Sequence, residues 1–465
     1  MFKNKLRLVV RGYRLKLLLL IIFLIPFTDT RFLPLPGEFN TDLALNLALV
    51  VTFFYVLKSF IRGKYKFVVS TPLSFLYLLM IWILIGAIIN FDTILISDFK
   101  NRTGLVKFIW QGFILVFTGF FFTNYLMTTL REMSIHFLFK KIRSIVLIGF
   151  IIVFIYAIFE IIYFRTLNSL IKGIIDVFDM VFLLKHSIGV EERLSSIMFE
   201  PPFLAIYLVF TTPWILSYMF DKKFIIALSP ILLGFISGSR TSLIISLIQL
   251  LLFGYYFIKI KYGRVVLVKV FIVFAVFLAV FYVSNFSKSN DYVKDKIELF
   301  SKKTKSNSQI SNVSRWGTQL ASYRIWKENP IFGIGFSQQG FHLKDYYSDS
   351  DYRNSYEIRF WSDTSYPTWP PGFSVYTRLL AETGIVGLII FLFFLITLLR
   401  YSYISLKMIY NPELKILALI LFVCNIGFII NYMQFDSFRL ISFWIITALT
   451  LTLYKSFKNN KFDNI

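Results

Sequence analysis

The amino-acid sequence predicts an all-α polytopic membrane protein of about twelve transmembrane helices with one large extracytoplasmic loop domain. Three observations carry that reading. First, 57% of the 465 residues are hydrophobic and only 16% are charged, where a soluble domain carries roughly a quarter charged residues. Second, the apolar residues fall in runs of about 20, each long enough to cross roughly 30 Å of hydrocarbon. These runs are unbroken, whereas membrane-crossing strands alternate apolar and polar positions, so the spans are helices. Third, lysines and arginines gather in every second connection between the runs.

In chain order the spans fall at roughly 15–27, 42–60, 68–89, 104–127, 142–164, 201–220, 223–238, 241–259, 265–284, 374–398, 414–432 and 439–455. The first is short and the seventh is tight. A basic stretch precedes the first, but no small-residue cleavage site follows. Pro26 and Asp29-Thr30-Arg31 come instead, so it reads as an uncleaved span. Basic residues then mark alternate connections: Lys58 and Arg62 after the second span, Lys140, Lys141 and Arg143 around the fourth connection, Lys222 and Lys223 after the sixth. Lys259 and Lys261, Lys407 and Lys415, and finally Lys455 and Lys458 continue the pattern. The alternation puts both termini in the cytoplasm.

The chain divides into an N-terminal membrane bundle at 1–284, an extracytoplasmic (periplasmic) domain at 285–373 and C-terminal spans at 374–465. The bundle contains about nine spans and a further outer loop at about 165–200. Long loops on a rigid scaffold are usually functional. The single cysteine, Cys424, lies inside an apolar run, so no intrachain disulfide forms. The formal net charge of +23 sits in clusters that orient the spans and does not indicate nucleic acid.

Arg240 is the residue that most needs an explanation. It stands between two apolar runs in Ile236-Ser237-Gly238-Ser239-Arg240-Thr241. A guanidinium stays charged and is costly to bury in hydrocarbon, so one at a helix junction suits an anion. The plainer reading is a helix boundary capped by Ser237, Ser239 and Thr241, with Arg240 snorkelling to the headgroups. By topology the same outer face holds Arg193, Glu200, Arg315, Arg324, Arg378, Asp436 and Arg439. A ring of planar guanidinium forks suits a lipid pyrophosphate, and a scatter of rim arginines pairing with headgroups or carboxylates is the alternative.

Residues 315–328 have helical periodicity, with Trp316, Leu320, Tyr323 and Lys327 on one face, which predicts an amphipathic helix on the membrane surface. Asn329-Pro330 ends it, and Gly333 and Gly335 then allow a tight backbone turn. No strand precedes this Gly-x-Gly and no third glycine follows, so it opens no dinucleotide site. Glu200, at the mouth of a span, and Glu382, in the entry turn of the tenth, are the carboxylates best placed to act as a base. A helix-start carboxylate and an i,i+4 ion pair with Arg378 are their plainer readings. Asp349-Ser-Asp351 imitates a metal-binding triplet but reads as a solvated loop, and His342 reads as a solvated loop histidine. Trp361, Tyr366, Trp369, Phe373 and Tyr376 offer stacking surfaces for sugar rings, although an interfacial belt accounts equally for the last two. No His, Cys and carboxylate cluster has metal spacing.

Three stretches resemble the O-antigen polymerase and ligase superfamily: Gly238-Ser239-Arg240-Thr241, the segment from Arg324 through Asn329-Pro330 to Gly335, and Tyr376 to Leu388. Arg324, ten residues and then Gly335 is similar to a periplasmic-loop pattern of the polymerases. The resemblance spans roughly 190 to 445. It implies a GT-C-like membrane glycosyltransferase that needs no metal or other cofactor. Such an enzyme works on undecaprenyl-pyrophosphate-linked glycan donors and acceptors at the outer face of the cytoplasmic membrane. A polymerase moves the growing glycan from its lipid pyrophosphate onto an incoming lipid-linked repeat unit, and the family leaves room for a chain-length regulator protein as partner. The catalytic roles would fall to Arg240, Arg315, Arg324, Glu200 and Glu382. Substrate binding would fall to Arg193, Arg378, Tyr376, Arg439, Gly333 and Gly335. The ligases commonly carry a histidine just before the span that here starts near Phe373, where this chain reads Pro370-Pro371-Gly372-Phe373. Ligation and lipid-linked glycan flipping are the competing functions. A flippase tends to show internal repeats and short loops, whereas this chain has one asymmetric outer domain.

Overall fold

The computed structural model describes residues 2–30, 41–63, 65, 67–184, 194–262 and 307–458. The chain is a helical bundle: α1 (Phe2–Leu24), α2 (Leu43–Ile61), α3 (Thr71–Ile89), α4 (Phe91–Ile96), α5 (Gly104–Arg131), α6 (Ile135–Thr166) and α7 (Ser169–Phe182). It continues with α8 (Pro201–Asp221), α9 (Phe224–Ile236), α10 (Arg240–Lys261), α11 (Asn307–Glu328), α12 (Gln339–Tyr346), α13 (Asp349–Asn354) and α14 (Tyr356–Ser362). The last three are α15 (Val375–Met408), α16 (Pro412–Asn431) and α17 (Ile441–Lys458). The two-residue strands β1 (Asp98–Phe99) and β2 (Arg102–Thr103) form a hairpin between α4 and α5.

Among the described residues eight helices are long and apolar enough to cross a membrane: α2, α3, α5, α6, α8, α10, α15 and α16. The first, seventh and twelfth expected spans are also helical, as α1, α9 and α17, with α9 only 13 residues long. The ninth, at 265–284, lies outside the described residues, as does Arg193. Peripheral helices are apolar all round, as a membrane requires. Thus α3 buries Leu76, Leu79 and Ile83 yet exposes Ile81, Leu84 and Ile88. The inner helices α8, α16 and α17 bury most of their side chains.

The bundle has two chemically distinct ends. At one, Arg14 pairs with Glu132 at 3.0 Å, His136 and Lys140 meet Glu413 at 3.1 and 3.2 Å, and Arg143 pairs with Asp221 at 2.6 Å. All of these come from connections that the charge pattern assigns to the basic side. The outer segments close the other end.

Two features of that other end follow from backbone accounting, because an unpaired amide or carbonyl costs free energy away from water. The first is a break in α15 at Gly384, where φ is 67°. It strands carbonyls that the loop after α11 then satisfies: Ile334 N donates to Ala381 O and Gly335 N to Glu382 O, both at 3.0 Å. Ile385 N donates to Pro330 O at 2.9 Å, and Trp82 Nε1 to Thr383 O at 2.9 Å. The two backbones approach so closely that a Cβ on Gly384 would lie 2.0 Å from Ile331 O, and one on Gly333 would lie 2.4 Å from the Glu382 carbonyl carbon. Both positions have to be glycine.

The second is the buried carboxylate of Glu160 in α6. It accepts from Ser195 N at 3.2 Å and Ser196 N at 2.7 Å, satisfying a loop that turns inside the protein. Glu160→Ala leaves both amides without their acceptor and is expected to cost roughly 2–6 kcal/mol, at about 1–3 per orphaned group. Glu160→Gln keeps an acceptor oxygen and should lose distinctly less. Thermal unfolding of the two detergent-solubilised variants checks the order, and equal losses would contradict the account.

The outer segment has its own small core of Ala321, Ile325, Leu343, Tyr347, Ile358 and Trp361, closed against Ala381 of α15. As the sequence predicts, α11 ends at Glu328. Its Trp316, Leu320 and Tyr323 are exposed on one face, and Ala321 and Ile325 are buried on the other. Two expectations are corrected. Asp351 is not in a solvated loop: it completes a capping box with Ser348 at the start of α13. His342 is half-buried in α12 rather than solvated, and desolvation holds its imidazole below the ordinary range.

Candidate functional site

The connection between α16 and α17, residues 432–440, is a hub on which the outer arginines converge. Gln434 Oε1 accepts from Arg315 Nη1 at 3.4 Å and also from the Thr241 hydroxyl, so it ties α11 to the first turn of α10. Arg240 precedes Thr241 and is exposed at that helix start, where Ser239 caps by accepting from Ser242 N at 3.4 Å. Arg378 Nη1 donates to Asp436 O at 2.7 Å, while its Nε donates to Glu382 Oε2 at 3.1 Å. The Asp436 carboxylate accepts from Gly372 N at 2.7 Å, which brings in the loop before α15. The Arg439 guanidinium lies over Phe203 at 5.4 Å and Phe435 at 6.0 Å. Glu200 occupies the N-cap position of α8, three residues before Phe203, and is exposed.

Local sequence explains how the hub is held. A π-helical stretch at Phe117–Phe122 within α5 offers the Thr118 hydroxyl to Phe438 O at 3.3 Å, and Trp444 Nε1 donates to the same oxygen at 2.7 Å. Such bulges often mark functional sites. Phe373, under the Arg315 guanidinium at 5.2 Å, sits at φ 58°, a strained conformation for an aromatic residue. Beside Arg439 a small cleft is lined by Thr28, Asp42, Met198, Phe203, Ile206 and Tyr207.

The structure therefore brings Arg315, Arg378 and Arg439 to one hub, while Arg240 directly precedes Thr241, which bonds to it, and Glu200 stands three residues before Phe203, which packs on Phe435. Arg324 is placed elsewhere: its Nη1 donates to Tyr346 O at 2.5 Å and stands 3.8 Å from Asp351 Oδ2, inside the outer segment. Gly333 and Gly335 lie in the clasp with α15, and Tyr376 donates to Ile429 O at 2.7 Å. Glu382 is 2% exposed, and Arg378 and Gln339 N occupy its oxygens. Of the aromatics, Trp361 is buried against Phe373, and Trp369 lies beneath Lys107 and Arg102. Gln434 and Phe435 escaped the sequence reading. The available signal was their position between Asp436 and Arg439 on one side and the end of a span on the other.

An all-α polytopic membrane protein with arginines from four separate elements gathered at one end of its bundle defines the class. Residues 225–392 match the family model described as O-Antigen ligase, which supports the O-antigen polymerase and ligase superfamily for this chain. The match runs from α9 through the outer segment into α15, and it contains Arg240, Arg315, Arg324, Arg378 and Glu382. No curated protein matches the chain.

Proposed function

We propose that the protein polymerises undecaprenyl-pyrophosphate-linked repeat units into O-antigen or a related surface polysaccharide. The family match supports the general O-antigen ligase or polymerase type of function and a lipid-linked glycan substrate. The convergence of Arg315, Arg378 and Arg439 on residues 432–440, with Arg240 next to the Thr241 that bonds to Gln434, supports the finer reading. In the reaction a hydroxyl oxygen of the incoming lipid-linked unit attacks the anomeric carbon of the growing glycan. The bond from that carbon to the pyrophosphate oxygen breaks, and its electron pair leaves with the pyrophosphate. Arg240 and Arg315 stabilise the charge that develops there, because preorganised cations need not move as it forms. The hydroxyl proton passes to Glu200, the exposed carboxylate at the start of α8. Glu382, buried and fully bonded, positions Arg378 instead.

The site faces the periplasm from the cytoplasmic membrane, with both termini inside. The gathering of the basic connections at the opposite end of the bundle supports that orientation. Polymerase is preferred to ligase because Gly372, bonded to Asp436, stands in the loop where the ligases commonly carry histidine. A deletion strain tests the proposal. Loss of a polymerase leaves single repeat units on the final acceptor, loss of a ligase leaves none attached, and loss of a flippase traps undecorated carriers inside. Unchanged chain length in the deletion strain would end the polymerase reading.

A further inference from the structure

The stretch that follows α6 carries an inference that does not rest on the enzymatic reading. Only Leu167, in a left-handed conformation, and Asn168, whose side chain accepts from Leu170 N, separate α6 from α7. So short a turn sends α7 back alongside α6. Tyr156 Oη donates to Asp179 Oδ1 at 2.8 Å, and Phe159 meets Phe178 with ring centroids 6.2 Å apart. Tyr156 lies ten residues before the end of α6 at Thr166, which is about 15 Å of helix. The apolar run of α6, residues 144–164, is the part that must fill the hydrocarbon, so Asp179 sits well inside it. The chain returns at a similar depth, where Ser196 Oγ donates to Val153 O at 2.8 Å and Glu160 accepts the Ser195 and Ser196 amides. Irregular backbone survives at membrane depth only when protein satisfies it in this way.

Exposure supplies a second, independent observation. On α6 the stripe Ile151, Ile155, Ile158 and Ile162 faces outward, as a spanning helix requires. On α7 the stripe Leu170, Ile174, Val177 and Val181 continues it, with Leu170 76% and Val181 65% exposed. Ile175 is buried on the opposite side, and Phe178 and Phe182 pack inward. Lys172, Asp176 and Asp179 share the third face, away from the stripe. A contiguous apolar surface of this kind is not left in water.

We propose that α7 is a re-entrant helix embedded among the acyl chains of the leaflet on the hub side, with Leu170, Ile174, Val177 and Val181 as its lipid-facing stripe. The bilayer is its occupant, because the stripe is continuous with the lipid-facing surface of the α6 span. The helix dips from the tip of α6 toward the middle of the bundle and screens the buried Glu160 network from lipid.

Spin labels on the full-length chain in lipid nanodiscs test this, with Cys424 replaced by alanine and single cysteines introduced as Thr166→Cys, Val177→Cys and Val181→Cys. Labels at 177 and 181 are expected to collide freely with oxygen and little with a water-soluble nickel chelate. A label at 166, at the tip, is expected to show the reverse preference. Equal collision of all three with the nickel chelate would place α7 in water and overturn the proposal. Screening of 177 and 181 from both reagents would also overturn it, by showing that protein, such as a second copy, covers the stripe. If either α7 variant does not insert, the other gives the same reading.

Discussion

Arg378→Ala is expected to be the most destabilising single substitution at the hub, at about 3–5 kcal/mol, the cost of stranding one partner of a buried ion pair. Arg378 and Glu382 are 7% and 2% exposed, so removal of the guanidinium leaves a carboxylate with no cation beside it in a water-poor site. The damage extends further, because the same guanidinium holds Asp436 O and lies over Phe336 at 5.3 Å. The clasp is at risk too: Glu382 O accepts from Gly335 N, and Ala381 O from Ile334 N. Replacing both charges together, as Arg378→Met with Glu382→Leu, should recover much of the loss, since a buried pair exchanged for apolar side chains of similar volume is often neutral. The midpoint of thermal unfolding of the purified protein measures both variants. A double variant as unstable as Arg378→Ala alone would show that the bond to Asp436 O, not the stranded carboxylate, carries the cost.

The same residues show where sequence reading succeeds and where it stops. The pair was legible because four residues on a helix bring side chains together whatever the rest of the fold does. The bond from Arg378 to Asp436 joins residues 58 apart and depends on how α15 packs against α16, which no local pattern encodes. Likewise Gly333 and Gly335 announced a tight turn. Its partner, the break at Gly384, looked like ordinary helix, because one glycine in an apolar run has no fixed meaning until another backbone approaches it. Arg324 was grouped with the other arginines because charge and topology put it on the correct face. Asp351 draws it away, and that contact depends on α13 folding against α11. The stretch at 165–200 read as a loop because its helix is too short to span. The spacing of Leu170, Ile174, Val177 and Val181 was nevertheless present as a helical stripe.

Arg240→Ala is expected to abolish chain extension, with a loss on the order of 10²–10³ in transfer rate, as for removal of one preorganised donor to a developing negative charge. Stability should hardly change. Arg240 is exposed and begins α10 with no ion-pair partner among the described residues, and exposed substitutions of this kind usually stay within about 0.5 kcal/mol. That separation makes the variant informative, because a protein that remains inserted and folded but cannot extend chains has lost chemistry and not structure. Arg315→Ala should behave similarly with a small added stability cost from its bond to Gln434. If both guanidiniums act on the same leaving group, the double variant should lose less than the product of the two single losses. Arg324→Ala serves as the contrast, expected to loosen the outer segment and leave much of the extension intact. Glycan length from a deletion strain complemented with each variant, beside protein levels in its membranes, reads all four. Wild-type chain lengths in Arg240→Ala would remove this residue from the pyrophosphate site, and wild-type lengths in Arg315→Ala as well would leave the hub as a structural joint between α10, α11 and the last two helices.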